Sequence, residues 1–125
     1  MRHFAANGWE VVVLSRQRHE HREGVRFIWW DGANLDSWAD ELDGAEAVIN
    51  LAGRTVNCRY GKKNRQQIYE SRESSTEVIG EAIAECATPP RVWFNASSAT
   101  VYRYALDRDM DEATGEIDPV PESGP

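Results

Sequence analysis

Apolar residues along this chain gather in short runs, each bounded by polar or turn-forming residues. Val11-Val12-Val13-Leu14 is a continuous run of the kind that forms a buried parallel strand, within a strand read from Trp9 to Ser15. Val25 to Trp30, Ala47 to Leu51 and Arg91 to Ala96 read as three further strands. Between the last two, Ile68, Val78, Ile79, Ala82, Ile83 and Cys86 recur at helical spacing, which predicts a long helix from Lys62 to Cys86 with one face on a sheet. Thr88-Pro89-Pro90 ends it, because proline cannot continue the helical hydrogen bonds. Asp36 to Leu42 predicts a short helix with Trp38 and Leu42 on one face. Arg2 to Asn7 reads as the last turns of a helix stopped by Gly8. Gln17 to Gly24 is polar and turn-like, and Asp107 to Pro125 is rich in Asp, Glu, Gly and Pro, as in a loop or disordered end.

Strands alternating with helices require crossover connections and a parallel sheet, so the expected class is α/β with a Rossmann-like order and all four strands in one sheet. In that architecture the first strand is central and the turn after it carries Gly-x-Gly-x-x-Gly. This sequence has neither, and its opening helix tail matches the end of the helix that should follow such a turn. The expectation is an incomplete sheet, with first strand and Gly-rich turn absent, over a partial dinucleotide-binding domain at 1–117 and a tail at 118–125.

Composition narrows the classes. A chain of 125 residues with 41% hydrophobic residues suits one soluble globular domain. No apolar run approaches the length of about 20 residues that spans a membrane, and Met1-Arg2-His3-Phe4 lacks the apolar core of a secretory signal. The net charge of −7 argues against a nucleic-acid partner, and the one basic cluster, Arg59, Lys62, Lys63 and Arg65, reads as a solvated helix start. Cys58 and Cys86 have no partners at metal-ligand spacing and read as reduced thiols, which points to the cytoplasm. His19 and His21 lack a third ligand, so no metal site is expected. No Gly-x-Ser-x-Gly elbow surrounds Ser97 or Ser98, which excludes a serine-hydrolase triad of that type.

Candidate chemistry lies at the carboxyl ends of the predicted strands, where parallel α/β sheets bind ligands. Trp93 to Arg103 runs from an apolar strand into Ser97, Ser98 and Tyr102, and Ala45 to Gly53 ends in residues small enough for a ligand to approach the backbone. Ser15-Arg16 follows another strand, where an acidic residue would hold the ribose hydroxyls of NAD and an arginine can pair with the 2′-phosphate of NADP. Positions 14 to 18 contain no Asp or Glu, which favours NADP, with NAD as the second choice.

Ile49-Asn50-Leu51-Ala52-Gly53, Glu70-Ser71-Arg72, Pro89-Pro90-Arg91-Val92 and Ser98-Ala99-Thr100-Val101-Tyr102 together resemble the extended short-chain dehydrogenase/reductase superfamily, the NAD(P)-dependent epimerases and dehydratases. More narrowly, they are similar to its "epimerase family" branch, some members of which carry a cell-division-inhibitor label. The resemblance runs from about Phe4 to Ile117, and members of the family are longer than this chain. It implies that Asn50, Leu51, Ala52 and Gly53 line the cofactor, that Asp31 approaches the adenine edge, and that Arg72 binds an anionic substrate or cofactor group. By the same resemblance Ser98 hydrogen-bonds the reacting substrate oxygen; beside it Ser97 reads as the cap of a backbone turn and a cofactor-binding candidate, and Tyr102, four residues on, as a wall of the substrate pocket.

The family's acid–base pair, Tyr-x-x-x-Lys, does not occur: Tyr60, Tyr69, Tyr102 and Tyr104 are followed four residues on by Asn64, Glu73, Leu106 and Arg108. Either the pair lies beyond Pro125 or this branch dispenses with it. The reading is therefore the cofactor-binding part of an NADP-dependent, epimerase-like oxidoreductase, truncated and inactive in isolation, acting on a small molecule the sequence does not specify. A non-catalytic dinucleotide sensor and an inert gene fragment are the alternatives. Oligomeric state is left open.

Overall fold

The computed structural model describes residues 1–98 and 101–118. Helix α1 (Arg2–Ala6) is a short opening turn, and Gly8 after it has φ +82°, a left-handed backbone that glycine adopts without steric cost. Strands β1 (Val11–Ser15) and β2 (Val25–Trp29) pair in parallel, from Val11 opposite Val25 to Ser15 opposite Trp29. A 3-10 helix, Ser37–Leu42, leads to β3 (Ala47–Asn50). The long helix α2 (Lys62–Glu85) then crosses over to β4 (Val92–Asn95), which pairs in parallel with β3 from Ala47 opposite Val92 to Asn50 opposite Asn95.

The expected incomplete single sheet is corrected here. The four strands form two parallel two-stranded sheets, each paired along its register, and β1 does not pair with β3. Apolar packing joins the two pairs instead of a continuous backbone ladder. Leu14, Ile28 and Val48 all lie against one cluster of Trp30, Trp38, Leu42, Val78, Ile79 and Ala82. A hydrophobic run reports that a strand has a buried face, but not which strand it bonds to, so the sequence could not separate one sheet from two.

Local chemistry accounts for the elements. The buried positions of α2, Ser75, Val78, Ile79 and Ala82, fall at i, i+3, i+4 and i+7, one stripe of a helix. Trp93 of β4 lies over this helix at Gly80, where a Cβ would stand 3.5 Å from the indole edge. In the 3-10 helix, Asp36 caps the first turn, and Trp38 meets Trp30 edge-to-face with ring centroids 5.4 Å apart. Arg26 of β2 forks onto Glu41 through two bonds of 3.1 and 2.6 Å, fixing the same helix to the sheet. On the opposite face of the β3–β4 pair, Ile49, Val92 and Phe94 are exposed, so these strands do not have the two covered faces expected of buried parallel strands.

The segment from 101 to 118, expected as a loop or disordered end from Asp107 onward, is an ion-paired loop. Tyr102 bridges Ile117, Arg103 N–H donates to the Glu116 carbonyl, and Asp118 N–H donates to the Val101 carbonyl. Glu116 pairs with both Arg103 and Arg108, and the bond from Arg103 is the main reason its carboxyl sits below the ordinary range. The Tyr102 ring closes on Gly115, where a Cβ would stand 2.5 Å from the ring and clash with the Asp111 carbonyl. The tail placed at 118–125 lies outside the described residues from 119 onward, as do Ala99 and Thr100.

Candidate functional site at the carboxyl ends of the strands

Parallel pairing sends all four strands the same way within each pair, so the candidate residues fall where their strands end. Ser15 closes β1, and its hydroxyl accepts from Gln17 N–H at 3.1 Å, which turns the chain. Arg16 follows, exposed and without a hydrogen bond or ion pair to another described residue. At the end of β2, Trp29 walls two shallow depressions. One is shared with Asp31, Asn34 and Trp38, the other with Gln17, Arg18, His19 and Phe27.

The Asp31 carboxylate is spent on its own turn. Its Oδ1 accepts from Ala33 N–H at 2.8 Å and Asn34 N–H at 2.9 Å, and its Oδ2 from the Asn34 amide at 2.7 Å. The Asn34 side chain first, and these backbone donors next, lower its pKa to about 2. Adenine recognition by Asp31 is therefore limited to the capacity left on Oδ2.

Asn50, at the end of β3, is likewise committed. Its Nδ2 donates to Asn95 Oδ1 at 2.7 Å and to Ser75 Oγ at 3.4 Å, while its Oδ1 accepts from Ala52 N–H at 3.0 Å. Thr76 Oγ1 donates to the same Asn95 oxygen at 3.2 Å, so a polar knot ties β3, β4 and α2 together. The Asn50 carbonyl also accepts from Ala96 N–H at 2.9 Å, which brings the two strand ends side by side. Leu51 is exposed, Ala52 half-buried, and Ser97 and Ser98 lie exposed just past β4, with the Ser98 carbonyl accepting from Val101 N–H at 3.1 Å. Tyr102 stands on the ion-paired loop that follows.

The turn after β3 is shaped by residues of α2. Ser71 Oγ accepts from Arg54 N–H at 2.9 Å, and Arg72 Nη1 donates to the Arg54 carbonyl at 3.2 Å and to the Ile68 carbonyl at 3.1 Å. Gly53 lies beneath this guanidinium: its φ is +156°, and a Cβ there would stand 3.1 Å from Arg72 Cζ. The Asn50–Gly53 and Ser71–Arg72 motifs thus meet in space. Arg72 forms no salt bridge with a described residue and holds backbone carbonyls instead. Sequence reasoning missed Arg54, Asn95 and Ser75; for Arg54 the available signal was its place inside a stretch without acidic residues.

Two parallel strand pairs, the second joined by the helical crossover α2, with small residues at the strand ends, define an α/β protein of Rossmann-like type. The sequence matches the model of the NAD dependent epimerase/dehydratase family over residues 1–124, and the chain belongs to that family. An epimerase family protein of Staphylococcus saprophyticus is 31% identical over 82% of this chain and 34% of its own length. One from Bacillus subtilis is 28% identical over 89% of this chain and 37% of its own. The chain thus spans about a third of the length of these relatives. Its fold also matches a crystal structure of the human epimerase family protein SDR39U1 with NADPH, with a TM-score of 0.68 and 24% identity over 90% of this chain and 36% of that one.

Proposed function

We propose that this chain binds a nicotinamide dinucleotide across the carboxyl ends of its strands, with NADP preferred over NAD and Arg16 as the selecting residue. The observation that carries the reading is the exposed Arg16 guanidinium, which no described carboxylate neutralises, immediately past β1. A 2′-phosphate supplies the partner, through a charge-assisted bond that NAD cannot make. NADPH in the human relative's structure supports the same choice. Ala52 and Gly53 let the cofactor approach the backbone after β3, and Ser98 donates to the reacting oxygen of a small-molecule substrate in an oxidoreductase or epimerase-like reaction.

The test follows Trp29 emission, since this exposed indole borders both depressions at the end of β2. Added NADPH should quench it at lower concentration than NADH, and Arg16→Ala should weaken NADPH by about tenfold while sparing NADH. Equal loss for both dinucleotides removes Arg16 as the selector, and no binding of either refutes the reading. In a full-length family member carrying these residues, Ser98→Ala should lower turnover by about 10²-fold with cofactor affinity retained. Bound NADPH without turnover of any ketone or sugar tested favours the sensor.

A further inference from the structure

Side chains of a strand alternate between two faces, so the residues packed on the core identify those that point away from it. Leu14, Ile28 and Val48 lie against the core cluster, and Trp93, opposite Val48, lies over α2 at Gly80. The neighbours of these residues form the outer face of each strand pair. On the β1–β2 pair that face is partly covered. Val25 is buried beside Gly24, where a Cβ would stand 3.3 Å from Ala5 of α1, and the His19 ring packs on Phe27 with centroids 4.9 Å apart. On the β3–β4 pair the outer positions are Ala47, Ile49, Val92 and Phe94, all apolar, and the last three are 47%, 42% and 60% exposed. Polar residues would alternate into such a row if the face were built for water.

We propose that the outer face of the β3–β4 pair is the centre of a two-fold interface with a second copy of this chain. Surface area supports such a contact. The chain exposes 9981 Å². A compact monomer of its 14.2 kDa mass exposes about 6,800 Å². The excess, about 3,000 Å², is more than the roughly 1,000–2,500 Å² that each partner of an obligate dimer buries. Charge favours a copy over other occupants. The outer row carries no charged side chain, and at the strand starts Glu46 and Arg91 neutralise each other at 2.7 Å. Two copies meet there without placing like charges in contact, although each carries a net charge of −7. An anionic lipid surface would repel the chain and find no Lys or Arg in the row. A row without charged or hydrogen-bonding side chains gives little means of selecting a foreign protein, whereas a two-fold contact requires only that the face match itself, with Ile49 and Phe94 against their counterparts.

Sedimentation equilibrium of the whole chain should give the mass of two chains at about 10 μM and above, with no larger species. Phe94→Lys sets an unpaired cation on each side of the contact and should raise the dissociation constant by about 100-fold or more, leaving single chains. Ile49→Lys is a second variant with the same expected outcome, and far-ultraviolet circular dichroism of α2 checks that both remain folded. Lys63→Gln, on the exposed start of α2, should leave the dimer unchanged. Added salt should tighten the dimer, because it screens repulsion between two acidic chains. Without any substitution, NMR of mixed labelled and unlabelled chains should show intermolecular contacts between the Phe94 ring and the Ile49 methyl groups. A parent that stays single at about 100 μM overturns the proposal, as do an open series of larger species, a dimer weakened by salt, and folded Lys variants that dimerise as tightly as the parent. Intermolecular contacts confined to another surface also overturn it, and binding of a single-chain parent to phosphatidylcholine vesicles gives the face to lipid instead. None of these readings involves a dinucleotide, so they stand apart from the Arg16→Ala result.

Discussion

Removing the Asn50 side chain tests whether the residue serves the fold or the cofactor. Asn50→Ala deletes the 2.7 Å bond to Asn95 and the 3.0 Å bond from Ala52 N–H, each worth about 1 kcal/mol net. It also leaves the half-buried Ala52 N–H without its acceptor, which costs about 1–2 kcal/mol more. The longer contact to Ser75 at 3.4 Å adds little. The expected loss is about 3 kcal/mol. With a urea slope of about 1.5 kcal/mol per molar for a domain of this size, the midpoint falls by about 2 M. Circular dichroism of the 24-residue helix α2 reports the transition. Asn50→Asp keeps the acceptor for Ala52 but sets a carboxylate oxygen against Asn95 Oδ1, so it costs at least as much at neutral pH. That deficit shrinks as pH falls, because the protonated carboxyl donates to Asn95 again. An Asn50→Ala midpoint within about 0.3 M of the parent, with NADPH affinity reduced, would refute the structural account and return Asn50 to the cofactor.

The acid titration of Asp31 should show a pKa of about 2, below the ordinary 3.8, as followed by carboxyl carbon shifts. Because its folded value is depressed, its contribution to stability is present above the unfolded value and is lost as pH falls through the folded one; Asn34→Ala should move it back toward 3.8, and a parent value already there would count against the Asp31 turn. Gly80→Ala should stabilise the protein by about 0.5–1 kcal/mol in urea unfolding, because its Cβ would meet Trp93 at an ordinary 3.5 Å and helix propensity improves; destabilisation would mean that Trp93 packs closer than described. Gly115→Ala should open the 101–118 loop, read as faster hydrogen exchange at the Arg103 and Asp118 amides, and unchanged exchange would show that the Tyr102–Gly115 contact is loose.

Periodicity placed the elements well because each depends on neighbours in sequence. Val25 to Trp30 became Val25–Trp29, and the helix ended one residue short of Cys86, at Glu85. The short segment before β3 is a 3-10 helix, yet Trp38 and Leu42 face the core as the pattern required. What could not be read was pairing over distance. The partition into two sheets depends on which backbones meet, and Leu14, Ile28 and Val48 carry the same apolar signal in either arrangement. The site suffered from the same blindness. Nothing in Asp31 or Asn50 as letters says that Asn34 and Asn95 already occupy their polar atoms.

That occupancy divides the strand-end residues into two groups. Ser15, Asp31 and Asn50 hold the turns in shape with side-chain atoms bonded inside the protein, and a ligand that used them would first have to break bonds of 2.7 to 3.1 Å. Arg16 and Arg72 retain donors that no described residue engages, while Leu51 and Gly53 present exposed chain after β3. Under the proposed dinucleotide-binding reading, recognition of an anionic ligand at this end rests on guanidinium groups and on close backbone approach, with the amide and carboxylate side chains acting as the frame. Such a division makes the frame sensitive in unfolding and the arginines sensitive in binding. The two sets of substitutions should therefore separate cleanly, because the frame acts through its own hydrogen bonds and the arginines act through a charge that arrives with the ligand.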